Sequence, residues 1–370
     1  MRIGIDARMY GAVTTTGIGV YIQSLIQQLR SLDTENHYVI FLRPEAAKFF
    51  LPSERMHVVV ADIPWYSWAE QWRLPKMLKA QRLDLVHFPH FNVPLLYFGK
   101  FVVTIHDITP KFFPGSRVRR SPIRKFAYAV VMHNALRRAL RIITISEHTK
   151  RLLLRYYRIS AKRISVIPLG VSADFRPTSD AGRLAQVLAQ YSVTAPYLLY
   201  VGVWRDHKNI PGLVRAFELL RQRGMRCQLV IAGQPDSAYP EIPRAIAQSR
   251  FMGDIRTLGF VAQEKLPALY QGAGALVLPS FSEGFGLVAI EAAACGTLVA
   301  ASKTTSVPEV MGDAALYFDP GSPTAMADVL GKCLTDPTLR SQLATRGRER
   351  VRRYNWKASA QATLAVYRNC

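Results

Sequence analysis

The sequence predicts an α/β protein made of two doubly wound parallel sheets facing each other across a cleft, and three observations carry that prediction. Short apolar runs rich in Val and Ile recur without strict polar alternation, as strands covered on both faces require. Helix-like segments separate successive runs, the order expected of βαβ units. A stretch bearing two prolines and a glycine, Pro168-Leu-Gly-Val-Ser-Ala-Asp-Phe-Arg-Pro177, interrupts the alternation near the middle of the 370 residues, a length that exceeds one ordinary core.

In chain order, the first half offers strands at Arg2–Asp6, Tyr38–Leu42, His57–Val60, Asp84–His87, Phe101–Ile105, Arg141–Ile145 and Ile164–Ile167, with helical patterns at 18–30 and 122–140. The second half resumes with strands at Tyr197–Val201, Cys227–Ile231, Ile255–Leu258, Ala275–Leu278 and Thr297–Ala300. The expected domains are therefore residues 1–170 and 171–355, followed by a terminal helix in 356–370 that can pack back on either domain. Ligands of such sheets bind at the carboxyl ends of the strands.

Composition narrows the class. Hydrophobic residues make up 49% and charged residues 20%, which describes a globular chain and excludes a disordered one. Cys227, Cys295, Cys333 and Cys370 show no metal-ligand or redox spacing, so neither a zinc site nor a disulfide framework is expected. The first residues lack the apolar core of a signal peptide, and no long window is apolar enough to span a bilayer. A cytoplasmic protein is expected, peripheral on the inner membrane face if its basic surface meets lipid.

That surface is pronounced. The net charge is +22, and residues 1–180 hold 27 basic against 12 acidic side chains. Residues 111–163 hold fifteen Lys or Arg against the single acid Glu147. Aromatic residues accompany the charge, and Trp65, Trp68 and Trp72 precede Lys76, Lys79 and Arg82. Two readings of 65–82 and 111–163 stand: an anionic membrane contact, or solvated helical faces whose tryptophans point into the core. Nucleic acid is not expected, because no binding motif accompanies the charge.

Four segments carry chemistry. The first strand runs into Gly11-Ala-Val-Thr-Thr-Thr-Gly17-Ile-Gly19, a turn that either exposes backbone N–H groups to an anion or is simply tight. Thr104-Ile-His106-Asp107 follows the fifth strand, placing an imidazole at the cleft edge, whether for proton transfer or for structure. Val201-Gly-Val-Trp-Arg205-Asp-His-Lys208-Asn209 sets two cations in a loop at a strand's carboxyl end, where phosphates bind. Pro279-Ser-Phe-Ser-Glu283-Gly-Phe-Gly286-Leu287-Val-Ala-Ile-Glu291 places Glu283 before a helix whose open N–H groups suit a diphosphate. Glu291 follows roughly 12 Å along a helix at ~1.5 Å per residue, a span between a hexose and a ribose joined by two phosphates.

This last segment resembles the paired-glutamate motif of retaining GT-B glycosyltransferases, and its surroundings resemble family 4, the glycosyltransferase group 1 type. Gly17 and Gly19, Lys208-Asn209, Gly259-Phe260, Ser306-Val-Pro308-Glu309 and Gly312-Asp313-Ala314 extend the similarity over nearly the whole chain. The resemblance implies two Rossmann-like domains, transfer of a sugar from a nucleoside diphosphate with retention, no cofactor and no obligatory metal. It assigns Lys208 to the leaving diphosphate, Glu283 to donor sugar hydroxyls and Glu291 to the ribose. It assigns backbone N–H groups of Gly284, Phe285, Gly286 and Leu287 to sugar and phosphate, and the loop at Phe260 and Val261 to the base. Gly17 and Gly19 would close over the donor, and His106 would sit beside the anomeric carbon. Two departures are visible: Val203 and His207 stand where many members carry arginine, which leaves Arg205 as the candidate for the replacement charge.

Similarity to bacterial mannosyltransferases in the Lys-Asn pair and the Gly-Phe-Gly-Leu run makes GDP-mannose the leading donor, ahead of rhamnosyl or glucosyl donors. The expected acceptor is a saccharide or lipid-linked saccharide of polysaccharide or lipopolysaccharide assembly. Two other classes stay open: a nucleotide-sugar epimerase or hydrolase of the same fold, and a non-catalytic basic membrane-binding protein.

Overall fold

The computed structural model describes residues 1–11, 17–115, 121–178 and 180–370. The interior of the Gly11–Gly17 turn and the basic stretch 116–120 therefore lie outside the described residues. The chain divides into two compact units. The first comprises Met1–Ile108, Ser121–Gly170 and Asn355–Cys370, and the second Val171–Tyr354 together with Thr109–Arg120. That last segment, read from sequence as part of the first domain, follows its contacts: Thr109 Oγ1 lies 2.8 Å from Ser282 Oγ, and the Phe113 ring stacks on Phe281.

In the first unit, β1 (Arg2–Asp6), β2 (His37–Leu42), β3 (Met56–Val60), β4 (Leu85–Phe88), β5 (Phe101–Ile105), β6 (Arg141–Thr144) and β7 (Ile164–Val166) form one parallel sheet in the order β3-β2-β1-β4-β5-β6-β7. Strands β4 and β5 are buried along their whole length because helices cover both faces, which is why Phe101–Ile105 is apolar except at Thr104, whose hydroxyl is hydrogen-bonded to His87 and Tyr21. Ser67, Ser121 and Ser146 start helices Trp68–Ala80, Pro122–Arg138 and Glu147–Tyr156 by accepting a backbone N–H three residues on. The terminal helix Trp356–Arg368 belongs to this unit, where Tyr367 hydroxyl meets His87 Nδ1 at 2.6 Å.

The second unit repeats the design. Strands β8 (Tyr197–Val201), β9 (Gln228–Ala232), β10 (Ile255–Gly259), β11 (Ala275–Leu278), β12 (Val299–Ser302) and β13 (Ala315–Phe318) are ordered β10-β9-β8-β11-β12-β13. The edge strand β13 is an addition to the sequence reading. It is four residues long, its two middle residues are half-exposed, and it carries no Val or Ile run to announce it. In both sheets the first and fourth strands are neighbours, so the chain's direction of progress reverses between them. Such a reversal opens a crevice at the carboxyl ends of those two strands.

Candidate active site at the switch point of the second sheet

Two loops leave the carboxyl ends of the neighbouring strands β8 and β11, and a single asparagine ties them together. Asn209 adopts a left-handed conformation (φ 54°) between the short turn Asp206–Lys208 and the helix Ile210–Gln222. Its amide donates to Pro279 O at 3.1 Å and Pro320 O at 2.8 Å, and Phe281 N donates to His207 O at 2.7 Å. Asparagine tolerates this backbone, and its buried amide needs partners, so one residue both turns the chain and clamps the second loop.

The clamp brings Lys208 and Glu283 together. Lys208 Nζ lies 2.7 Å from Glu283 Oε1, and Ser280 Oγ donates to the same oxygen at 2.6 Å. Ser306 Oγ holds the Glu283 carbonyl at 2.9 Å. Burial alone would push the Glu283 carboxyl up, but the adjacent ammonium and the serine outweigh it and hold it below the ordinary range. The acid is therefore kept ionised, as an acceptor of hydroxyl hydrogens.

The chain then runs through Gly284 and buried Phe285, whose ring meets Tyr354 edge-on at 5.4 Å, to Gly286 at φ 87°. A Cβ on Gly286 would stand 2.8 Å from Val307 Cγ2, so glycine is required there for space as well as for dihedral. Gly286 caps the helix Leu287–Ala294. This corrects the predicted span: only the four steps from Leu287 to Glu291 are helical, and a left-handed bend replaces the first half of the expected rise. Glu291 is buried and accepts the Tyr270 hydroxyl at 3.0 Å. With no cation among its partners, burial dominates and pushes it up to about 7.

The structure thus joins Lys208 to Glu283, and sets Glu291 deeper, beside Tyr270. The remaining residues assigned from sequence fall as follows. Arg205 is exposed in the same loop as Lys208, and Val203 is 37% exposed beside it. Phe260 is half-exposed and Val261 buried just beyond β10, at the sheet's edge. In the first unit, Gly17 is exposed and Gly19 buried in the opening turn of helix Gly17–Leu32. His106 follows β5, donates from Nε2 to Pro89 O at 2.8 Å and lies edge-on to Tyr21 at 5.0 Å. Burial lowers its pKa against the opposing effects of Pro89 and Asp107, so the ring is neutral.

The sequence pattern of glycosyl transferases group 1 matches residues 190–350, and that of glycosyltransferase family 4 matches residues 15–175. The chain is 33% identical over 290 residues to O-antigen chain mannosyltransferase B of Escherichia coli, covering 77% of this chain and 74% of that one. It is 27% identical over 283 residues to the serotype-specific mannosyltransferase WbdA of Escherichia coli, spanning 75% of this chain but only 34% of that longer protein. The chain belongs to the group 1, family 4 glycosyltransferases. The architecture of this glycosyltransferase agrees with solved structures of the GT-B fold. A sucrose-phosphate synthase from Thermosynechococcus elongatus superposes with a TM-score of 0.82 at 24% identity over 100% of this chain and 98% of that one. WaaG, a glycosyltransferase involved in lipopolysaccharide biosynthesis, does so with a TM-score of 0.78 at 14% identity over 99% of each.

The glycosyltransferase also holds groups that the sequence did not single out. Ser280, Ser306 and Tyr270 fix the two glutamates; Ser306 lies in a motif of the family resemblance, but nothing local gives it or the other two this role before the fold pairs them. In the first unit, a small cavity of about 20 Å³ lies at the equivalent switch point between β1 and β4, lined by Asp6, Arg8, Trp65, Tyr66, His90 and Asn92 among others. Buried Arg8 forks between Asp6 Oδ2 at 2.7 Å and Glu70 Oε1 at 2.6 Å, and Tyr66 N donates to Glu70 at 2.9 Å. The one signal available in sequence was Glu70, an acid within an aromatic, basic helix.

Proposed function

We propose that the protein moves a mannosyl residue from GDP-mannose to a saccharide or lipid-linked acceptor of cell-surface polysaccharide assembly, with retention at the anomeric carbon. The observation that carries the reading is the Lys208–Glu283 pair at the switch point of the second sheet, beside a helix opened by Gly286. The relatives named mannosyltransferases support the choice of sugar.

On this reading the chemistry follows from charge. Breaking the anomeric bond leaves negative charge on the diphosphate, which Lys208, exposed Arg205 and the N–H groups following Gly286 stabilise. Glu283, held ionised, accepts sugar hydroxyls, and Glu291 accepts those of the ribose. Glu283 orients the sugar and does not attack it, so the leaving phosphate takes the acceptor's proton on the same face. The donor is a substrate, and the reading assigns no separate cofactor.

Thermal-shift measurements across GDP, UDP, dTDP and ADP sugars test the donor, with selective stabilisation by GDP-mannose expected. Proton NMR of the glycoside formed tests retention. Stabilisation by another nucleotide sugar alone would replace the donor, and an epimerised free sugar made without acceptor would replace the reaction.

A further inference from the structure

The first unit exposes large apolar side chains that a folded surface normally covers. Trp68 is 85% exposed, Trp72 61%, Phe98 79%, Ile123 80% and Phe126 71%. Trp68 and Trp72 therefore do not point into the core, unlike half-buried Trp65, which lines the cavity beside Arg8. They sit four residues apart on helix Trp68–Ala80, and Ile123 and Phe126 sit three apart on helix Pro122–Arg138, so each pair shares a helix face.

One loop connects the two helices. Leu95 N donates to Gln71 Oε1 at 2.8 Å from one side, and Arg138 donates to Leu95 O at 3.2 Å from the other. The Arg138 guanidinium also covers the Phe98 ring at 4.8 Å, and Phe91 beneath meets Tyr128 edge-on at 5.1 Å. The aromatic residues of helix, loop and helix thus belong to one built surface.

Its charge is of one sign. Helix Trp68–Ala80 contains a single acid, Glu70, which is buried against Arg8, while Arg73, Lys76 and Lys79 are exposed. Helix Pro122–Arg138 contains no acid and exposes Arg124, Lys125 and Arg137. Amphipathic residues whose apolar parts sink to the level of lipid headgroups, ringed by Lys and Arg, match an anionic bilayer in both respects. A nucleic acid would satisfy the charge but leave Ile123 and Leu96 in water; a second copy of this chain would bring like charge against like.

We infer that this face docks the protein on an anionic lipid surface, with Trp68, Trp72, Phe98, Ile123 and Phe126 entering the headgroup layer and the surrounding Lys and Arg meeting lipid phosphates. The inference stands on this surface alone and does not depend on the donor or the reaction.

Flotation of the full chain tests it, with vesicles of phosphatidylcholine alone and of phosphatidylcholine mixed with phosphatidylglycerol, at low and high salt. Binding to the mixed vesicles only, with a blue shift of tryptophan fluorescence, is expected. Salt should weaken the binding and leave a resistant part carried by apolar insertion. Trp68→Ser/Trp72→Ser/Phe126→Ser should remove the resistant part, and Arg124→Glu/Lys125→Glu should lower low-salt binding roughly tenfold. All five positions are exposed, so the variants should keep the wild-type melting temperature and nucleotide-sugar response. Failure of the wild type to float with anionic vesicles, flotation of both variants like the wild type, or binding to an oligonucleotide without binding to vesicles would each overturn the inference. Loss of the nucleotide-sugar response in the wild type would instead count against the proposed reaction.

Discussion

At the scale of single residues, the second unit holds two acids whose pKa values are pushed in opposite directions. Glu283 is kept ionised by Lys208, whereas Glu291, buried and bonded to the Tyr270 hydroxyl, rises to about 7. Lys208→Ala should lower turnover by roughly 10²–10³-fold, the usual effect of removing one fixed donor from a developing negative charge. Because that change also strands a buried carboxylate, its melting temperature should fall, and circular dichroism at the assay temperature separates lost chemistry from lost fold. Near-normal turnover in folded protein would remove Lys208 from the leaving-group role. Glu291 predicts a pH effect of definite sign. Its folded pKa lies above the ordinary 4.5, so the native state favours the protonated form, and the stability this gives is present below 4.5 and lost as pH rises through about 7. Glu291→Gln should escape that loss, gaining on the wild type by up to about 3 kcal/mol between acid and neutral pH in urea titrations. Identical pH profiles for the two proteins would show that Glu291 does not titrate in this range.

At the scale of elements, the strand–loop–helix unit from β11 to Ala294 depends on one glycine. Gly286→Ala should cost about 1–2 kcal/mol for the left-handed backbone, and more for the contact with Val307. Gly253→Ala is the control, since Gly253 is not left-handed and a Cβ there meets nothing within 4 Å. Thermal melts of the two should differ, and GDP-dependent stabilisation should weaken only in Gly286→Ala; equal behaviour would show that the bend does not set the helix start. The same glycine explains how far the sequence could be read. Doubly covered strands such as Phe101–Ile105 stand out because burial on both faces demands mostly apolar residues at successive positions. Strand β13 did not, because an edge position relaxes that demand. The motif at Glu283 was visible as residue types, but its helix was placed a turn too early, since nothing local says that Gly286 would bend left-handed against Val307 from another loop. Tyr270, Ser280 and Arg8 act through partners that only the folded chain supplies.

At the scale of the whole molecule, the chain builds its first unit from both ends of the sequence. Helix Trp356–Arg368 docks there: Tyr367 is fully buried, the Trp356 ring lies 6.4 Å from that of Tyr21, and a Cβ on Gly170 would strike Trp356 N at 2.2 Å. A relay of hydrogen bonds runs through this core from Tyr367 to His87 Nδ1 at 2.6 Å, from His87 Nε2 to Thr104 Oγ1 at 2.8 Å, and on to Tyr21 at 3.1 Å. The periodicity of the last helix was legible, but its destination was not, because an amphipathic helix fits either sheet and the choice is made by a histidine 280 residues earlier in the chain. Burial holds His87 down to about 3, so it stays neutral; the stability this gives is present above its ordinary 6.5 and is lost as pH falls towards about 3. Tyr367→Phe leaves His87 Nδ1 without its buried partner and should cost about 1–3 kcal/mol. Removing residues 355–370 strips Trp356, Leu364 and Tyr367 from the core at roughly 1.5–3 kcal/mol for each large apolar side chain. Calorimetry of the truncated chain should therefore show the transition of the first unit lowered or lost, while any response to GDP that the full chain gives persists in the transition of the second unit, which contains Lys208, Glu283 and Glu291. An unchanged profile after truncation would mean that the terminal helix contributes nothing to the first unit, and loss of a GDP response that the full chain gives would mean that the second unit does not fold without it.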